Sequence, residues 1–376
     1  MIYPTLTCKI MIRTTLLFFT ISVLFFSCGK DGKNNFTSIS KEDLPMSKGK
    51  GGRIIIVIDS TTADGPIGQE LEALLTANTP GLPRPEPMFN INFVQPSKMN
   101  NSLRMYKNIM YVTILNSETR GNRWLQKNFD AASVERVKED PGLFMYPKEN
   151  EFAKDQAVLH IFGLTEDQLY QNLLENGEAV VNYFDKKENS RTYQALYNAP
   201  PQKGIANLMW DKYDCSLDIP QAWDIAMQKD DFIWLRLLDS KIDKSIFVTF
   251  RPYTSEDIFS KENLIEWREE TGEKYIYGNP ERPETYIVTE TEHFPVKTNE
   301  INFKGKYAVK MWGLWRTNNK TMGGPFLSYT MVDESSERIY YVEGFVYSPG
   351  EDQRETMREL EMILSTFETE KENQPS

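Results

Sequence analysis

Residues 53–59 read Arg-Ile-Ile-Ile-Val-Ile-Asp, five aliphatic side chains in succession. A strand sends alternate side chains to opposite faces. This run therefore has no polar face to offer water, and it fits a central strand covered on both sides. Covering both faces calls for helices, and the next residues supply one. Asp64-Gly65-Pro66 opens a helix with proline in its first turn, and Ile67, Leu71, Leu74 and Leu75 fall on one face of it. A second apolar run at 108–115 completes a β-α-β element. The stretch between carries Pro80, Gly81, Pro83, Pro85 and Pro87, which reads as a stiff, extended surface loop.

A second strand-helix pair follows. Residues 156–162 form the strand and Gly163 breaks it. Thr165 and Gln168 have capping-box spacing, Leu169, Leu173 and Leu174 supply a buried face, and Asn176-Gly177 stops the helix. Ala179, Val180, Tyr183 and Phe184 begin another amphipathic helix. Residues 53–200 are thus expected to form an α/β domain, ferredoxin-like or similar, with helices packed on a sheet. After the boundary at 199–204 the pattern changes to strands, expected at 216–220, 231–238, 246–251, 285–291, 307–314, 326–332 and 338–347. A helix at 260–271, ended by Gly272, interrupts them. Ser348-Pro349-Gly350-Glu351 reads as the capping box of a last helix, with Met357, Leu360, Leu364 and Phe367 as its apolar stripe. Residues 205–370 are expected to be α+β: an antiparallel sheet with the C-terminal helix across one face. The tail from Glu368 is charged and is expected to fray.

Ahead of the body, residues 16–26 form an apolar run of 11, flanked by Lys9 and Arg13 and closed by Ser27-Cys28. A bilayer-spanning helix needs about 20 apolar residues, whereas a signal-peptide core needs roughly 7–15. Residues 1–27 therefore read as a lipoprotein signal, starting at Met1 or Met11, with Cys28 as the lipid-attachment residue. Phe25 and Phe26 are bulkier than is usual before such a cysteine. Several acyl chains, at about 0.8 kcal/mol per buried methylene, make an anchor effectively permanent. Residues 28–52 are polar and read as a flexible tether, with a reach of at most roughly 80 Å and a relaxed span of about 25–30 Å. Gly29 rather than aspartate after the cysteine favours the outer membrane. The expected location is the cell envelope, periplasmic or surface-facing.

The chain has 43 basic and 54 acidic residues and a formal net charge of −11. Loss of Lys9 and Arg13 with the signal would take it to −13. Such a balance argues against nucleic acid, which needs a basic footprint. Cys215 is the one cysteine of the expected body, so no intrachain disulfide is expected there, and it reads as a small buried residue. Of the two histidines, His160 falls in a strand and His293 follows Thr289-Glu290-Thr291-Glu292. The sequence holds no Gly-x-Ser-x-Gly elbow, no Cys-x-x-Cys and no His-Glu-x-x-His. The cluster Gly49-Lys50-Gly51-Gly52 lacks the flanking residues of a phosphate loop. No cofactor, no metal and no catalytic residue is assigned.

Two places can carry recognition. Asp59 ends the first strand, where open α/β sheets bind ligands. In the second half, strand alternation puts Trp234 and Arg236 on one face, Arg251 on one face of the next strand, and Lys310 and Trp312 on one face of a third, with Arg316 just beyond. If these faces coincide, the side of the sheet away from the last helix gathers aromatic and cationic groups that stack on planar or sugar rings.

The succession of signal and Cys28, then GRIIIVID, PGLPRPEPMF, FIWLR, GGPF and SPGEDQRETMRELEMIL, resembles an uncharacterised lipoprotein family of Bacteroidota known as domain of unknown function 4837 (DUF4837). The resemblance implies an envelope lipoprotein and carries no activity, cofactor or site residue with it. The segment LDIPQAWDIAMQKDDFIWLR with its sheet and last helix is similar to α+β domains of the PsbP and Mog1 type, an analogy of fold only. The expected role is partner binding or scaffolding, with an envelope protein or glycan as partner and the membrane reached through the lipid anchor. A carboxylate-dependent hydrolase of envelope glycans would instead need two converging acids about 5–10 Å apart. A small-molecule binder would need a concave apolar pocket between the domains.

Overall fold

A computed structural model of the chain describes residues 43–279 and 282–369. The signal, Cys28 and the tether up to residue 42 lie outside the described residues. The first half contains β1 (Arg53–Val57), α1 (Ser60–Ala63), α2 (Pro66–Leu75), β2 (Asn90–Val94), α3 (Asn101–Arg104) and β3 (Asn108–Ile114). It continues through α4 (Arg120–Leu125), α5 (Ala131–Glu139), β4 (Met145–Glu149), β5 (Ala157–Gly163), α6 (Glu166–Asn176) and α7 (Glu178–Leu196). Its five strands form one sheet in the order β2-β1-β3-β5-β4. As the aliphatic run requires, β1 is central and buried on both faces. Ile54 and Ile56 pack with Leu71, Leu169, Val180 and Phe184, and Ile55 and Val57 pack with Leu125 on the other side. The strands are parallel except for β4 at the edge. The α/β class is as expected, but the arrangement is not ferredoxin-like, because the neighbouring strands β2, β1, β3 and β5 pair in parallel, whereas a ferredoxin-like sheet alternates direction from strand to strand.

The second half holds α8 (Lys203–Tyr213), β6 (Asp224–Gln228), β7 (Phe232–Leu238), β8 (Asp243–Pro252) and α9 (Lys261–Tyr275). Then come β9 (Tyr277–Asn279), β10 (Arg282–Glu290), β11 (Lys297–Phe303), β12 (Lys306–Thr317), β13 (Gly323–Asp333), β14 (Arg338–Tyr347) and α10 (Arg354–Leu364). These strands make an antiparallel sheet in the order β6-β7-β8-β14-β13-β12-β10-β9, and β11 also pairs with β12. One face packs Ile233, Val248, Tyr340 and Val342 under α8 and α10. The other packs Phe232, Phe247, Tyr341 and Met311 under Leu264 and Trp267 of α9. The α+β class and the last helix across one face are as expected. Gly272 lies inside α9 rather than ending it. A Cβ there would meet the Ile287 carbonyl at 2.5 Å, so glycine lets the helix lie close to β10.

Other differences trace to contacts distant in sequence. Leu174 is half-exposed, unlike Leu169 and Leu173. The chain is held before residue 52, since Ser47 N–H donates to the Lys154 carbonyl at 3.1 Å and Lys48 N–H to the Met105 carbonyl at 2.6 Å. Glu368 does not fray, because its backbone exchanges hydrogen bonds with that of Ser216 at 2.8 and 3.0 Å. The last helix begins at Arg354 and takes no cap from Ser348. Its opening N–H groups of Gln353 and Arg354 donate instead to the buried Glu86 carboxylate, at 2.8 and 2.9 Å. The proline-rich segment is therefore a clasp as well as a surface loop. It places an acid on the positive end of a helix from the other half of the molecule, where free N–H groups and the helix dipole both favour negative charge. Arg358 of α10 reinforces the contact with a 2.7 Å ion pair to Asp185 of α7.

Candidate functional site

Strand register decides where the proposed recognition residues point. Trp234 lies opposite Phe247, and Phe247 opposite Glu343. Glu343 faces Ser328, which faces Met311 of β12. Trp234, Arg236 and Arg251 thus share the α9 face with odd-numbered residues of β12. Lys310 and Trp312 are even-numbered and lie on the opposite face, beside α10. The three faces expected to coincide do not. Each hairpin register can shift parity by one residue, and that shift exchanges the faces of a whole strand.

The cations are also already engaged. Lys310 Nζ pairs with Glu361 of α10 at 2.5 Å. Arg251 lies 4.2 Å from the centre of the Trp267 ring and 3.6 Å from Glu270. Arg316 Nε donates to Glu290 at 2.9 Å. The face away from the last helix is roofed by α9 and is not an open platform.

Two recesses stand out among the described residues. On the α9 face, Trp234, Arg236, Asp243, Ser245, Trp315, Tyr347 and Tyr277 are among the residues around a narrow recess with about 30 Å³ of free space. Arg236 stacks over the Trp234 ring at 5.1 Å and pairs with Asp243. The second recess is a groove of about 260 Å³ where the two halves meet. Gly81 and Leu82 of the clasp form one wall, and Phe294, Pro295, Lys297, Trp312, Gly313 and Leu314 form the rest. Gly81 has φ +79°, and a Cβ there would sit 2.7 Å from Trp312 Cδ1. Glycine is therefore needed twice over, for the left-handed backbone and for the close approach. Trp312 Nε1 is buried with no hydrogen-bond partner among the described residues. Lys297 is exposed, and its ammonium has no ion-pair partner among them.

The remaining candidates are satisfied internally. Asp59 caps α1, accepting from Thr61 N–H at 3.1 Å and from Thr61 Oγ1 at 2.7 Å. A Cβ on Gly121 of α4 would stand 2.0 Å from Asp59 Oδ2, so the chain itself presses on this corner of the sheet. His160 is buried and stacks on Tyr111 with ring centres 4.9 Å apart. Cys215 is fully buried, and that burial pushes its thiol pKa up, away from a reactive thiolate. Ligand atoms of Glu290, Glu292 and His293 lie within 4.8 Å of one another. Glu290 is already bound by the His293 and Glu292 N–H groups and by Arg316. The His293 N–H leads in drawing its carboxyl pKa down to about 2.

Sequence reasoning found Trp234, Arg236 and Trp312 but missed Asp243, Gly81, Leu82, Phe294 and Lys297. Asp243 was within reach, because the hairpin between 238 and 243 places it one step diagonally from Arg236. The groove was not, because its walls come from segments more than 200 residues apart. Among the described residues, no helix is long and apolar enough to cross a membrane.

Residues 47–197 match the family model described as Domain of unknown function (DUF8532). No curated protein matches the chain. Solved structures similar to it include a point mutant of Protein Mog1, at 10% identity and TM-score 0.27. The Saccharomyces cerevisiae Ran-binding protein Mog1p is another, at 9% identity and TM-score 0.27. Each match covers 42% of this chain and 90% of the other. Residues 203–366, which hold the antiparallel sheet and both helices that cover its α10 face, match the family model described as Domain of unknown function (DUF4837).

Proposed function

We propose that this is a lipid-anchored protein of the cell envelope, held in the outer membrane through Cys28, whose body binds a partner and does not transform it. The observation that carries the binding reading is the groove between the halves. Most of the side chains that line it are apolar, and it carries one buried indole N–H and one exposed cation that nothing else engages among the described residues. An unpaired buried donor costs about 1–3 kcal/mol, and a guest bearing an acceptor would recover that cost. Lys297 beside it favours an acidic or carbonyl group, while Leu82, Phe294, Pro295 and Leu314 suit an apolar body. Asp243 is the single acid around either recess. The paired carboxylates that glycan hydrolysis requires are therefore not what these recesses bring together.

The test is photo-cross-linking in native envelopes from a reactive residue placed at Phe294. A reproducible adduct is expected, lost on Lys297→Glu and weakened on Trp312→Phe. An adduct indifferent to both substitutions would sink the groove as the contact. Cys28→Ser tests the anchor independently: the variant should leave the membrane fraction, and firm retention would overturn that part of the reading.

A further inference from the structure

The recess on the α9 face gathers three buried polar atoms that have nothing to bond among the described residues: Trp234 Nε1, Arg236 Nε and Asp243 Oδ1. Trp234 is only 8% exposed. Two of the atoms are donors and one is an acceptor. Arg236 and Asp243 already neutralise each other, so the site has no net charge to attract an ion. What fits is a single uncharged atom that accepts two hydrogen bonds and donates one, and a hydroxyl oxygen does this. The free space of about 30 Å³ admits one such group and not a ring. Around it stand the partly exposed Tyr277, Tyr347 and Met322, which offer apolar surface for the C–H face of a ring held outside.

We propose that this recess is a subsite for one hydroxyl of a neutral saccharide, whose ring lies against the aromatic rim. The site is on the face of the sheet opposite Trp312, and it does not depend on the interdomain groove. Water is the competing guest, since it too accepts and donates. A saccharide differs in bringing a ring that the rim can cover, which should add affinity beyond that of water.

The probes are the methyl glycosides of glucose, galactose, mannose and N-acetylglucosamine, with glucuronate as a charged control. Each is added to the full chain in detergent and followed by saturation-transfer NMR. At least one neutral glycoside should show transfer and should outbind glucuronate. Trp234→Phe removes one donor while keeping the ring, and Arg236→Lys removes the Nε–H while keeping the charge. Each should weaken binding about tenfold, the worth of one hydrogen bond, with circular dichroism unchanged, whereas Lys138→Ala on the exposed face of α5 should have no effect. Absence of transfer from all four glycosides, stronger binding of glucuronate, or binding that survives both recess variants would show that the recess holds water only and would overturn the proposal.

Discussion

Two arginine–carboxylate pairs stand on the same face of the second sheet, and they are built differently. Arg268 and Glu343 are wholly buried, with side chains 0% exposed. Arg268 Nε and Nη2 donate to the two Glu343 oxygens at 2.8–3.2 Å, Nη1 donates to Thr289 at 3.0 Å, and Tyr341 adds its hydroxyl to Glu343 at 2.6 Å. The Phe326 ring lies 4.1 Å from the guanidinium carbon. Arg236 and Asp243 are partly exposed, at 29% and 21%, and each leaves one buried atom unpaired. The first pair is closed, because a buried charge is tolerable only when its hydrogen-bonding capacity is used. The second is open, and what it leaves unused is a description of a guest. The two pairs are alike in charge and differ in the completeness of their hydrogen bonding.

The comparison can be broken most directly at the closed pair. Glu343→Gln should destabilise the protein by about 3–5 kcal/mol in chemical denaturation, because Arg268 would remain buried without its counter-charge. A loss below about 1 kcal/mol would mean that the pair is not closed in solution. Glu86 is an intermediate case, a buried carboxylate satisfied by backbone from the other half of the chain. Glu86→Ala should cost about 1–2 kcal/mol, the value of a helix cap with its dipole contribution. It should also speed hydrogen exchange in the first turn of α10, and unchanged exchange there would contradict the clasp. Asp243→Asn should cost about 1 kcal/mol or less, because solvent screens a half-open pair. A cost matching that of Glu343→Gln would erase the distinction between the two pairs.

The smallest effect belongs to Glu290. Its folded carboxyl pKa is lowered to about 2 from an ordinary 4.5, with the His293 N–H the leading cause and Arg316 contributing. A depressed acid adds stability that is present above its ordinary pKa and is lost as pH falls through the folded value. NMR titration should therefore place the midpoint near 2 and shift it part of the way upward in Arg316→Gln. A midpoint at the ordinary value would mean that the turn around residues 290–293 does not hold.

Much of the fold was legible because it is written in short-range pattern. The aliphatic run of β1, proline at the start of α2, and Thr165 at the start of α6 each act within one turn or one strand. Gln168 reaches back as expected, although its side chain binds the Leu164 N–H at 3.0 Å rather than that of Thr165. The strands β2, β4, β6, β9 and β11 went unread, being short or facing water on much of their length, and the strand expected at 216–220 is only an isolated bridge at Ser216. For the site, alternation identified the chemistry of Trp234, Arg236, Lys310 and Trp312 but not their grouping. Parity within a strand is local, whereas parity between strands depends on every turn that separates them.

The sequence by itself determined the two fold classes and which side chains are apolar enough to require burial, because periodicity and turn chemistry act between near neighbours. Tertiary structure alone decided which faces meet, that an acid from the proline-rich loop caps the last helix, and that Trp312 and Gly81 form one groove. The cap and the groove rest on contacts between residues more than 200 positions apart, and the meeting of faces rests on the register between strands, so packing rather than local propensity sets the distances.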